Sequence, residues 1–109
     1  MKTTVALVAI ACAACTAQLT EGGARVRTVP PEAAPRCRAL GTVEGTGANG
    51  ASAADNDYAA TNDARNRAAT LGANALVVTS RTSNLWRGSV RADAYACPQW
   101  EPVPGLAPR

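Results

Sequence analysis

Across residues 57–71 the apolar positions recur at helical spacing. Ala60, Ala64, Ala68 and Leu71 fall at i, i+4, i+8 and i+11 on an otherwise polar segment, and they predict one amphipathic helix. Asp55, Asn56 or Asp57 supplies a side-chain oxygen for the unpaired amides at its start, and Gly72 the left-handed residue past its end. Asp63 and Arg67 stand four apart in the favourable order on the polar side. The stripe is mostly alanine, so the helix can lie close against a sheet.

Elsewhere the pattern has period two. Residues 89–97 place Val90, Ala92, Ala94 and Ala96 on one face and Arg91, Asp93, Tyr95 and Cys97 on the other, which predicts a strand. Residues 74–80 put Leu76 and Val78 on one face, with Ala75, Val77 and Thr79 opposite. Leu40, Thr42 and Val43 mark a strand over 37–45 that ends at Gly45. Val26 and Val29 alternate with charged residues in a short edge strand over 25–29, stopped by Pro30-Pro31, which cannot donate to a ladder. These elements predict an α+β domain, with a sheet of three to four strands and one packed helix.

The remaining segments are breakers. Residues 17–24 hold Gly22-Gly23 and predict a tether without regular structure, and 32–36 a short linker with one helical turn opened by Pro31. Residues 46–56 are rich in Gly, Ala, Asn and Ser and predict a long mobile loop. No Lys-Ser/Thr follows those glycines, so they do not form a phosphate cradle. Residues 81–88 predict a turn or loop, and 98–109, with four prolines, an extended and poorly ordered tail.

Residues 1–16 stand apart from this domain. Lys2 precedes an uncharged apolar run over 5–14, the pattern of a secretory signal, and the run is too short to span a bilayer as a helix. Ala13-Ala14-Cys15 resembles a bacterial lipobox, in which the thiol receives a diacylglyceryl group and the cut falls before the cysteine. The new amino terminus is then acylated, with palmitate expected, and several chains anchor far more firmly than one. Three other readings compete: Cys12 as the lipidated residue, which leaves a very short signal; ordinary cleavage after Ala14; and a buried hydrophobic strand or helix of the domain itself. Cys12 itself occupies the position where lipoboxes usually carry an aliphatic residue. Thr16 rather than Asp after Cys15 favours the outer membrane, by analogy with lipoprotein sorting in enteric bacteria. The expected organisation is a signal over 1–14, a lipidated tether and linker over 15–36, an α/β domain over 37–97 and a Pro-rich tail over 98–109.

The formal charge is +3, and all the basic residues but Lys2 are scattered arginines, too mild a balance to argue for nucleic acid. If the signal takes Cys12 and acylation takes Cys15, Cys37 and Cys97 remain as a pair in an oxidising compartment. They form either one disulfide or two buried thiols. Two isolated thiols with no His cannot complete a soft metal site, so neither metal nor cofactor is expected. The absence of His also argues against general acid–base chemistry at neutral pH. Asp55 and Asp57 fit capping better than catalysis, Asp93 fits a surface ion pair with Arg91, and Cys97 is a nucleophile only if unpaired.

The order of pieces then resembles a known family. Cys15-Thr16, Leu19-Thr20, Val26-Arg27, the 37–43 run CRALGTV, the 62–69 run NDARNRAA, Leu71-Gly72-Ala73-Asn74 and Ala94-Tyr95-Ala96-Cys97 resemble small bacterial lipoproteins of unknown function akin to RcsF. RcsF is the outer-membrane lipoprotein that senses envelope stress for the Rcs phosphorelay. The resemblance implies a few-stranded sheet, one packed helix and a disulfide. RcsF-like domains hold two disulfides, and this mature chain has cysteines for one. No catalytic residue is carried over.

The expected function is therefore that of a non-enzymatic envelope lipoprotein, held to the bilayer by Cys15 and acting through protein contacts as a stress sensor or accessory subunit. Trp86 with Arg87 in the turn, and Trp100 in the tail, are the candidate contacts. The alternative is a structural module for an anionic polymer such as peptidoglycan or lipopolysaccharide, bound through Arg25, Arg27, Arg36 and Arg38.

Overall fold

In the computed structural model, residues 18–100 are described. In chain order they form α1 (Glu21–Ala24), β1 (Arg27–Thr28), a 3-10 helix (Pro31–Arg36), β2 (Arg38–Ala48), α2 (Ala53–Thr70), β3 (Ala75–Ser83), β4 (Arg87–Ala96) and a closing 3-10 turn (Pro98–Trp100). The sheet runs β1-β3-β4-β2, with β4 antiparallel to both long neighbours and β1 a short parallel edge beside β3. The α+β architecture, the single main helix and the disulfide are as expected.

The main core lies between α2 and one face of the sheet. Ala60, Ala64 and Ala68 from the helix meet Val43, Leu76, Val90, Ala92 and Ala94 from three strands, with Val26 inserted from the segment before β1. Leu71 is not part of the stripe: it is the C-cap of α2 and 45% exposed, because the helix ends one residue before it. Gly72 follows with φ 88°, the left-handed conformation its lack of a Cβ makes accessible. A smaller cluster on the opposite face joins Val29, Ala75, Val77 and Cys97 beneath the 3-10 helix.

The predicted loop over 46–56 is largely regular structure. β2 continues to Ala48, and α2 begins at Ala53 with Ser52 as its N-cap, accepting from the amide of Asp55. Ser52, not Asp55, Asn56 or Asp57, performs the cap. The physical reason is that Gly45 and Gly47 are strand residues on the face under α2, where a Cβ on Gly45 would stand 2.2 Å from the Ala60 carbonyl oxygen. Glycine in a strand here marks close backbone approach rather than a break.

Three other expectations change in the same direction. Residues 17–24 were expected to lack regular structure, yet Thr20 caps the short turn of α1 by accepting from Gly23, and Gly23 is buried against Asn66. The turn over 81–88 shrinks to three residues, because β3 runs to Ser83 and β4 begins at Arg87. The tail is ordered as far as Trp100, and the rest of it lies outside the described residues.

Cys37 and Cys97 are joined, with Cα atoms 4.3 Å apart. They continue the β2–β4 ladder one step beyond the Arg38–Ala96 pair, at a spacing close to that of a non-hydrogen-bonded antiparallel pair. The backbone of Cys97 is held from the other side by the Asn74 side chain, which accepts from its amide (2.7 Å) and donates to its carbonyl (2.9 Å). Asn74 thus extends β3 with a side-chain amide. Asn74→Ala leaves both backbone groups without this partner, and a loss of about 1–3 kcal/mol is expected in urea unfolding. Asn74→Asp keeps an acceptor for the amide but loses the donor to the carbonyl, so it retains only part of the stability.

Candidate functional site

The three-residue tip between β3 and β4 is Asn84-Leu85-Trp86. Asn84 builds it: its side-chain oxygen accepts from the amides of Trp86 (2.8 Å) and Arg87 (3.0 Å), and its own amide donates to the Arg87 carbonyl. The Asn84 carbonyl in turn accepts from the side chain of Asn56 in the first turns of α2. Asn56 is fully buried, and its side-chain oxygen accepts from Gly50. A buried asparagine therefore ties the hairpin to the start of the helix. Beside it, Arg81 reaches Asp57 at 2.8 Å and Thr61 at 3.3 Å.

This scaffold holds up two large side chains. Trp86 is 80% exposed and Leu85 is 68% exposed. Trp86 therefore does not cap the core, and Arg87 opens β4 beside it rather than lying in a turn. Leu85 and Asn84 form part of this site and have no role in the sequence reading, whereas Asn56 enters that reading only as a cap candidate. The Asn84-Leu85-Trp86 triplet was the available signal for the tip, whereas burial of Asn56 had none, since polar helix residues are usually solvated.

Trp100 is not brought to Trp86. It packs against the smaller core cluster, and the Arg27 guanidinium lies over its ring at 4.9 Å from the centroid. Arg27 pairs in register with Ala75, at the opposite end of β3 from the tip, so about 25 Å of strand separates the two tryptophans.

The arginines expected near the anchor are dispersed. Arg25 faces Glu21 at 3.6 Å, Arg27 lies on Trp100, and Arg36 and Arg38 flank Cys37. Arg91 and Asp93 do not pair with each other. The cross-strand register sets Arg91 opposite Glu44 (4.0 Å), while Asp93 accepts from the Thr42 hydroxyl at 3.1 Å. Asp63 and Arg67 form the expected helical pair at 3.1 Å, and Asp63 also accepts from the Thr46 amide. Cys97 is spent in the disulfide. Among the described residues, no group of three or more His, Cys, Asp or Glu gathers in a metal-holding arrangement, and no helix is long and apolar enough to cross a membrane. Cys12 and Cys15 lie outside the described residues.

The model of one protein family, described as a domain of unknown function (DUF4156), matches residues 17–97, a span that includes all four strands, α2 and both disulfide cysteines. No curated protein matches the chain, and no solved structure does.

Proposed function

We propose that this chain, which belongs to the DUF4156 family, is a lipid-anchored, non-enzymatic protein of the bacterial envelope that works by holding out an aromatic hairpin tip to another envelope protein. One observation carries this reading: Leu85 and Trp86 are displayed on a braced turn at the end of the domain opposite to where the chain enters it. The entering chain is fixed on Asn66 of α2, which accepts from the amide of Thr20 and donates to the carbonyl of Gln18. The tip is fixed on Asn56, nearly three helical turns away, about 15 Å of axial rise. An acylated Cys15 would hold the first end at the outer membrane and leave the second free in the periplasm.

Tryptophan and arginine are among the residue types that dominate binding energy at protein interfaces, and Trp86 and Arg87 stand side by side here. Here the loop is already ordered by Asn84 and Asn56, so little conformational entropy opposes docking. The role is a sensor or accessory subunit, kin in kind to the RcsF-like lipoproteins that the sequence resembles.

Photo-crosslinking from position 86 in living cells tests this. A discrete adduct is expected there and not from the exposed position Thr82 on β3. Trp86→Ala is expected to leave stability within about 0.5 kcal/mol, since the side chain buries little. The same variant is expected to lose the partner. Identical smears from both positions would discard the interaction role.

A further inference from the structure

We infer that the end of the domain where the chain enters is a membrane-docking face, seated directly on anionic phospholipid headgroups through Arg27 and Trp100. The inference deepens the lipid-anchored reading and rests on it. It begins with covalent reach. The chain is clamped to α2 from Gln18 onward, through the Asn66 bonds to the Gln18 carbonyl (2.8 Å) and the Thr20 amide (2.8 Å). Only Thr16 and Ala17 stand between Cys15 and that clamp. Three steps of fully extended chain span at most about 10 Å. A domain so held cannot swing free on a long leash. Whatever surface surrounds Gln18 must lie at headgroup depth.

That surface carries the right chemistry. An open groove of about 980 Å³ begins at Gly22, just past the clamp, and runs between Ala69 of α2 and Asn74 to Arg25, Arg27 and Trp100. Among the described residues, Arg27 has no carboxylate partner, and its guanidinium lies over the Trp100 ring, 4.9 Å from the centroid. An arginine stacked on a half-buried tryptophan offers a charge for a phosphate and an amphipathic ring for the interface between headgroup and acyl chain. The opposite end offers no such pairing. Trp86 stands on the tip, beyond the far end of α2 from Asn66.

The test uses the full chain expressed in bacteria, purified from membranes and reconstituted in vesicles of phosphatidylethanolamine and phosphatidylglycerol that contain brominated lipid. Trp86→Phe leaves Trp100 as the only tryptophan, and Trp100→Phe leaves Trp86. Trp100 emission is expected to be lost to the bromolipid, and Trp86 emission to be unchanged. Arg27→Gln is expected to lower the ratio of docked to undocked domain about fivefold, and high salt to act in the same direction. Mass spectrometry of the same preparation reports whether Cys15 is acylated. With Cys15 acylated, an unquenched Trp100, or equal quenching of both tryptophans, overturns the docking face and leaves the anchor intact. An unmodified Cys15 overturns both.

Discussion

Removing the Cys37–Cys97 link is expected to cost the domain about 4 kcal/mol, the chain-entropy value for the 60-residue separation it closes. That is a large share of the 5–15 kcal/mol a native domain typically has. The apolar core offers little reserve, since apart from Leu76 its fully buried side chains are no larger than valine and mostly alanine. Urea unfolding of the oxidised protein, the reduced protein and the Cys37→Ala/Cys97→Ala variant measures the effect. With the slopes usual for small proteins, the midpoint should fall by roughly 2 M or more.

The loss is also expected to be local before it is global. The link holds the 3-10 helix Pro31–Arg36 over Val29, Ala75 and Val77, on the face that α2 does not cover. Amide exchange should therefore quicken first over residues 31–37 and 97–100, and only at higher denaturant over α2. A reduced protein whose midpoint stays within about 0.5 M of the oxidised one would show that the β2–β4 ladder alone closes the loop.

The sequence was most legible where one physical signal dominates. Strict alternation over 89–97 placed all eight of its side chains from Val90 on their correct faces, because a slip by one residue would turn Val90, Ala92, Ala94 and Ala96 to solvent. The Ala60, Ala64 and Ala68 stripe identified the buried side of α2 for the same reason. Legibility failed where small residues carry two meanings. Gly45 and Gly47 follow Val43 at period two, on the same face, and could have been read as a strand under a helix. Their composition suggested a loop instead, and the same bias shortened α2 at Ala53.

At the candidate site, Trp86 is legible as a contact candidate between two strands, but its exposure, the place of Arg87 within β4 and the bracing by Asn56 and Asn84 are not. A buried asparagine is recognisable only once its partners are placed, and those partners are backbone groups with no sequence signature. Trp100 shares only its residue type with Trp86. The fold sends them to opposite ends because β1 pairs with the start of β3, which carries Arg27 and its stacked ring away from the tip.

The second large effect is expected at Gly45. A Cβ there would lie 2.2 Å from the Ala60 carbonyl oxygen, 2.4 Å from the Ala64 amide nitrogen and 2.9 Å from the Ala64 Cα. All three are backbone atoms of α2, so no rotamer change relieves the overlap. The helix would have to rise by about 1 Å, prising its alanine stripe off Val90, Ala92 and Ala94 and opening gaps too small for water. Gly45→Ala is therefore expected to cost about 3 kcal/mol, the upper end of the usual cost of overpacking, although alanine loses less backbone entropy than glycine on folding. Thr46→Ala, one residue on and facing solvent, should move stability by no more than about 0.5 kcal/mol, because the Thr46 contact to Asp63 uses its backbone amide. Trimming the helix with Ala60→Gly should not rescue Gly45→Ala, since the obstructing atoms remain. Thermal and urea unfolding of the three variants decides it: a Gly45→Ala loss below about 1 kcal/mol, or rescue by Ala60→Gly, would mean that side chains and not the two backbones set the distance between α2 and the sheet.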